Sequence, residues 1–422
     1  MSEDYKFGIE EEFFLIDADT RAVTNTRPEA FFAEIKRELG GQVAGEMLQA
    51  QIEVATLPHT DTASALTELK FLRETLAGIA RKHGLGILAA GTHPTAIWGE
   101  SVPSPGQRYD AVMHDLQITG HRNMLCGLHV HVELPPGEDR VDIMCRMLPY
   151  LPLLLALSTS SPFWQSCRTG MMGYRLAAYD ELPRTGVPEL FRRREDFDAY
   201  IDALTAANII ADSSYVWWAI RPSLQHPTLE LRAPDACTFV DDSIAISALY
   251  RALARQLCRN PLHNFNMTPV TRALVVENKW RAQRYGIHGT FADEKGDGAV
   301  RVAEMLESVL EDVMPHAREL GCATEVAHCR SIVAGGTSAD AQLAVFEKHE
   351  RKEGCARALD AVTDWLTQAT LRWGESGSAF AGPGRLHDET AGAGIDDADA
   401  AQEVERKPKH MVAQFPVVDR RR

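Results

Sequence analysis

Positive charge is in short supply. The 422 residues hold 44 Lys and Arg against 59 Asp and Glu, a formal net charge of −15 with the 15 His neutral. No basic stripe is visible, which argues against a nucleic-acid partner, because a phosphate backbone is gripped by clustered Lys and Arg. Long apolar runs are also missing. A bilayer crossing needs about 20 such residues, and the best stretch, Leu151–Ser158, is short and follows Pro149 and Pro152. No membrane partner is expected. The eight Cys include no C-x-x-C pair, which excludes a zinc ribbon and a thioredoxin-type redox motif. Met1–Tyr5 runs straight into a patterned segment without a secretory leader, so reduced thiols in a cytoplasm are expected. Several catalytic signatures are absent too. There is no G-x-x-x-x-G-K-S/T loop, Gly84-Leu85-Gly86 does not continue into G-x-G-x-x-G, and neither G-x-S-x-G nor H-E-x-x-H occurs. If ATP is used, metals and Arg must hold its phosphates.

What is present is an ordinary globular balance, 45% hydrophobic and 24% charged, which rules out a disordered or collagen-like chain. Strand patterns fall at 7–16, 49–56, 85–92 and 123–134, with a hairpin at 216–220 and 228–232 around the turn Pro222–Pro227. Helical spacing is found at 28–39, 63–83, 109–117, 141–161, 195–207, 241–259 and 271–284, and throughout 300–373. Residues 165–188 read as a long loop. Strands gather before 235 and helices after it, which predicts an α+β fold with an antiparallel sheet. Residues 1–375 read as a single domain. Beyond it, 376–422 is rich in Gly, Ser and Ala, then acidic, and reads as a solvated tail.

Five groups of residues carry chemistry. In Gly8-Ile9-Glu10-Glu11-Glu12 the strand period of two turns Glu10 and Glu12 to one face and Glu11 to the other. Two carboxylates on one face suit a hard divalent cation such as Mg²⁺, or simply an edge strand in water. Glu46 and Glu53 flank the neutral Gln49. Their spacing of seven brings both inward only across a loop or bulge; otherwise they are surface acids. His129 and His131 share a strand face, as metal or phosphate contacts or as satisfied imidazoles. Glu230 and Arg232 share a face near Arg221, either as ion pairs or as a metal ligand beside Arg that neutralises a moving phosphoryl group. Finally, Asn278, Arg281 and Tyr285 line one helix near Arg284, as a solvated basic face or as the holder of an anionic ligand.

These pieces resemble a known family when taken in order. Gly8-Ile9-Glu10-Glu11-Glu12-Phe13, Glu53-Val54-Ala55-Thr56, Gly91-Thr92-His93-Pro94, Gly127-Leu128-His129-Val130-His131-Val132, Ile220-Arg221-Pro222-Ser223, Leu229-Glu230-Leu231-Arg232 and Arg284-Tyr285-Gly286 follow the pattern of glutamate–cysteine ligase type 2, the YbdK-type carboxylate–amine ligases. The resemblance covers about residues 5–373. It implies a glutamine-synthetase-like antiparallel sheet forming a funnel, in which Mg²⁺ ions clamp ATP. It implies Glu10, Glu12, Glu46, Glu53, His129 and Glu230 as metal ligands. Arg232, Arg221 and His131 would be catalytic, with Arg232, Arg221 and Arg284 toward the nucleotide. Arg168, Arg175 and Tyr109 are expected at the substrates, a small carboxylate and an amine, with L-glutamate and L-cysteine the reference pair. Homo-oligomerisation is left open. Two other readings compete: a metal-dependent hydrolase using the H-x-H pair, and an ATP-binding regulator without turnover.

Overall fold

The computed structural model describes residues 4–373, apart from 192 and 295–297. The expected tail at 376–422 therefore lies outside the described residues. The strands are β1 (Phe7–Asp17), β2 (Val43–Gly45), β3 (Gln51–Ala55), β4 (Leu85–Leu88), β5 (Leu128–Glu133), β6 (Phe163–Trp164), β7 (Cys167–Arg168), β8 (Ile220–Pro222), β9 (Thr228–Leu231), β10 (Thr290–Ala292) and β11 (Ala299–Arg301). Seven of them form one sheet in the order β2-β3-β1-β5-β9-β8, with β4 beside the C-terminal half of β1. Every pairing in it is antiparallel. The α+β expectation holds.

One face of this sheet is apolar. Phe13, Leu15, Ile52 and Val54 pack with residues of α1 (Glu29–Leu39) and α2 (Thr62–Lys82). Phe7, Ile9, Leu128, Val130, Val132, Leu229 and Leu231 join a larger core. Burying that face is the main drive for the fold, and it leaves the opposite parity of each strand free for polar groups. α2 starts at Asp61, whose carboxylate accepts from Ser64 N–H at 2.8 Å, an N-cap that satisfies an otherwise orphaned donor.

The remaining helices are α3 (Gln107–Leu116), α4 (Ile118–His121), α5 (Arg140–Met147), α6 (Leu151–Ser158), α7 (Tyr174–Tyr179), α8 (Arg194–Ala206), α9 (Val240–Arg259), α10 (Pro269–Tyr285), α11 (Val302–Glu319), α12 (Ala323–Gly335), α13 (Ser338–Glu353) and α14 (Cys355–Ala369). α9 is buried along most of its length and packs on α2, α5, α11, α12 and β5. The single helix expected over 141–161 is broken by a 3-10 turn at Leu148–Tyr150, because Pro149 and Pro152 lack the N–H that would continue the ladder. That stretch is long and apolar enough to cross a membrane by composition, but it is almost wholly buried inside the fold. The loop expected over 165–188 contains α7. Six residues after Gly170 and Gly173 give too little periodicity to announce a helix.

Candidate active site

Strand register assembles the site. Glu12 of β1 faces Glu53 of β3, and Glu10 faces His129 of β5. His131 faces Glu230 of β9, and Glu230 faces Arg221 of β8. Five strands thus lay acids, imidazoles and arginines across the polar sheet face. Glu46 joins from the turn after β2. The chain reverses between Glu46 and Glu53, so the odd spacing of seven still brings both to one cavity. That cavity measures about 490 Å³. All six candidate ligands line it, as do His131, Arg221, Arg232, Arg175 and Tyr109.

Two sets of potential ligand atoms share His129. Glu10, His129 and Glu230 form one, and Glu12, Glu53 and His129 the other, with the atoms of each set within 4.8 Å of one another. The Nδ1 of His129 lies 3.3 Å from Glu10 Oε2, and its Nε2 lies 3.7 Å from Glu12 Oε1. That Nε2 is buried without a hydrogen-bond partner, an unmet need that a cation would answer. Oxygen donors in this number, with one imidazole, fit a hard divalent ion.

The acids are in electrostatic conflict. Burial, then the charge of Glu12, raises the Glu46 carboxyl to about 7. Burial, then Glu10, Glu46 and Glu12, lifts Glu53 well above the carboxylate range. Burial also raises Glu12, against the pull of Arg175. Glu10 goes the other way. Burial opposes its charge, but hydrogen bonding to His129 and His131 prevails and holds it well below the usual range. Burial, then Arg232, depresses His129 to about 4, leaving a neutral imidazole with a lone pair to give. The Glu46–Glu53–Glu12 side thus carries crowded carboxyls that either keep protons or face added positive charge.

The other side is already neutralised. Arg221 grips Glu230 with two bonds, Nε at 2.8 Å and Nη2 at 3.1 Å, and donates to the carbonyls of Ser214 and Val216. Arg232 also pairs with Glu230 and reaches Tyr179 Oη at 3.3 Å. Although burial works against its charge, these arginines hold Glu230 far below the usual carboxylate range. Arg232 keeps its buried Nε without a partner. His131 bonds Thr228 Oγ1 through Nδ1 at 2.9 Å and Glu10 through Nε2 at 3.2 Å.

Some expectations need correction. Arg168 is exposed on the β6–β7 ribbon, pairs with Glu347 at 3.3 Å, and does not line the cavity. Arg284 lies over the Tyr285 ring, 4.9 Å from its centroid, also outside the cavity. The helix face near it is structural: Asn278 ties both backbone groups of Ala292, and Arg281 binds Thr290. Periodicity placed these residues on one helix face but could not say which neighbour that face meets. Gln49 is tied elsewhere as well, accepting from Arg27 N–H at 3.2 Å and donating to the Pro103 carbonyl at 3.0 Å. Tyr109 spends its hydroxyl on the Gly45 carbonyl at 2.8 Å, and burial, then Glu46 and Glu53, raises it to about 12. Arg175 does line the cavity, buried, with Nη1 donating to the carbonyls of Arg232 and Pro234 and Nε without a partner. Arg108, Asn123, Tyr179, Ser214, Trp217 and His226 line the cavity without having been singled out. They stand on short helices and turns, where no period marks a face.

The fold is shared with solved ligase structures. The structure aligns with glutamate–cysteine ligase from Francisella tularensis, solved in complex with AMP, at a TM-score of 0.64 and 12% identity, covering 87% of this chain and 89% of that one. It aligns with a bifunctional glutathione synthetase from Pasteurella multocida at 0.62 and 16%, covering 86% of this chain and 52% of that one. At such low identity these likenesses speak for the fold alone. The family is shown by sequence. The model of glutamate–cysteine ligase family 2 matches residues 6–361. A protein of Bradyrhizobium diazoefficiens named as a candidate glutamate–cysteine ligase 2 is 50% identical over 368 residues, 87% of this chain and 84% of that one. A Rhodospirillum rubrum protein with the same name is 41% identical over 373 residues, 87% and 96% of the two chains. The chain belongs to glutamate–cysteine ligase family 2, and it is a carboxylate–amine ligase.

Proposed function

We propose that this ligase is driven by ATP through an acyl phosphate, with L-glutamate and L-cysteine as its substrates and γ-glutamylcysteine as its product. The observation that carries the reading is the pair of carboxylate–imidazole sets sharing His129 beside the Glu230–Arg221–Arg232 cluster, all in one cavity. The names of the relatives and the AMP in the Francisella enzyme point the same way. Mg²⁺ held by Glu10, Glu12, Glu53, His129 and Glu230, with Glu46 beside Glu53, would supply positive charge to the phosphate oxygens.

An amine attacks a carboxylate poorly, because the oxygen it must expel is a bad leaving group. In the proposed sequence a substrate carboxylate oxygen attacks the γ-phosphorus and ADP leaves. The amine nitrogen then attacks the acyl carbon, phosphate leaves with that oxygen, and the nitrogen gives up a proton. Phosphoryl transfer calls for placement and charge neutralisation more than for acid–base chemistry. Arg232 suits the moving phosphoryl group, because its Nε–H has no partner. Arg221 is fully engaged and positions Glu230. Burial in a sheet-walled cavity strengthens these interactions and excludes competing water.

The H-x-H hydrolase reading is weaker, since His131 belongs to neither ligand set among the described residues. All eight cysteines are free, which suits the cytoplasm we assign. The test is release of ADP and phosphate on mixing ATP, a divalent cation, the acid and the amine. Release that needs both substrates supports the ligase. Hydrolysis without ATP would indicate the hydrolase, and ATP binding without turnover would indicate the regulator.

A further inference from the structure

Four arginines line the cavity, and three of them already have partners, although Arg175 and Arg232 each keep a buried Nε unpartnered. Arg175 donates to two carbonyls, Arg221 to Glu230 and two carbonyls, and Arg232 to Glu230 and Tyr179. Arg108, in the first turn of α3, differs from them. Its guanidinium lies over the ring of Tyr215, 5.0 Å from the centroid. It makes no ion pair or hydrogen bond among the described residues. The Ser214 hydroxyl also belongs to a residue lining the cavity; its oxygen is buried without a partner, next in sequence to Tyr215. Exposed, lining the cavity and stacked on an aromatic ring, Arg108 is preorganised to offer an anion its planar fork.

We propose that Arg108, with the Ser214 hydroxyl, binds the carboxylate of the acid substrate that does not react. The inference rests on the ligase reading above and assigns a residue to its specificity. An amino dicarboxylate such as L-glutamate presents one carboxyl for phosphorylation and a second that must be fixed elsewhere. Arg168 stands outside the cavity, and Arg175 is buried with its Nη1 spent on two carbonyls, whereas Arg108 is exposed to an incoming ligand. A phosphate of ATP has similar chemistry. Arg108 stands on α3, however, off the strands whose acids and arginines would hold the triphosphate, and this favours the substrate carboxylate.

The experiment is titration calorimetry on the full chain with three probes: L-glutamate, γ-aminobutyrate, which lacks the second carboxylate, and ATP with Mg²⁺. Wild type is compared with Arg108→Met, Arg108→Lys and Ser214→Ala. Arg108 is exposed, so its variants should fold, and circular dichroism checks this. Arg108→Met should weaken L-glutamate by about tenfold to a hundredfold, the range for a lost charge-assisted pair. It should leave γ-aminobutyrate and ATP unchanged, and Arg108→Lys should fall between. Equal loss for both acids, or a loss confined to ATP, overturns the assignment. So does a wild type that binds neither acid. Turnover of the wild type is measured alongside: its absence would count against the ligase reading, while the binding comparison would still judge Arg108.

Discussion

A Cβ on Gly127 would lie 2.1 Å from Arg175 Nη2. Arg175 cannot swing aside cheaply, because it is buried and holds the carbonyls of Arg232 and Pro234. The same Gly127 donates its N–H to Glu12 Oε2 at 2.6 Å. Gly127→Ala should therefore destabilise the protein by roughly 1–3 kcal/mol, as overpacking does, and should lower activity through Glu12. Thermal unfolding and turnover check this, and adding Arg175→Ala should recover part of the lost stability. At Glu12 itself, replacement by Gln keeps an acceptor for Gly127 but removes the charge. Glu12→Gln should raise the Mg²⁺ concentration needed for half activity by on the order of 100-fold, with little change in melting. An unchanged Mg²⁺ requirement would remove Glu12 from the ligand set. The sequence announced Glu12 through its strand parity. It could not announce Arg175 as a floor residue, because nothing local ties position 175 to Gly127.

Among the elements, β1 depends on its third acid. Glu11 points away from the cavity and accepts from Arg73 Nε at 2.8 Å and Nη2 at 2.6 Å, and Ser243 also donates to it. Arg73 further donates to the carbonyls of Thr238, Cys237 and Thr370, tying α2 to the chain after α14. This pin fixes which face of β1 carries Glu10 and Glu12. Arg73→Ala strands a buried carboxylate and should cost about 3–5 kcal/mol. The double variant Arg73→Met with Glu11→Leu should cost less, and denaturant melts of the pair decide. A titratable pair sits at the start of α13. Asp340 caps it through Thr337 N–H and pairs with His288 at 2.6 Å. That bond raises His288 above 6.5; burial opposes the charge of Asp340, but His288 holds it below 3.8. The pair's stability is thus fully present between the ordinary values of 3.8 and 6.5. It is lost as pH rises through the raised His288 value, and lost again as pH falls through the lowered Asp340 value. His288→Gln should flatten that part of the melting profile; an unchanged profile would show that the pair contributes nothing.

For the whole molecule, the apolar parity of the strands is what made the sheet and its polar face legible. Phe7, Ile9, Phe13 and Leu15 had to face a core, so Glu10 and Glu12 had to face away from it. The same logic held for His129 and His131 and for Glu230. Less legible was anything supplied by short or irregular segments. α7 brings Tyr179, the turn before β8 brings Ser214, and α3 brings Arg108. Such residues reach the cavity by tertiary packing, which no local period records. Arg168 and Arg284 were misplaced for the same reason: an Arg matches an anionic ligand in chemistry whether it faces the cavity or a neighbouring helix. In the proposed reaction the acid cluster and Arg232 serve transfer of a phosphoryl group onto a substrate carboxylate. It is tested most directly with L-glutamate carrying ¹⁸O in its carboxyl groups, turned over with ATP, Mg²⁺ and the amine. Each released phosphate should carry one ¹⁸O, brought there by the cleaved acyl phosphate. Product amide formed with phosphate free of the label would contradict it.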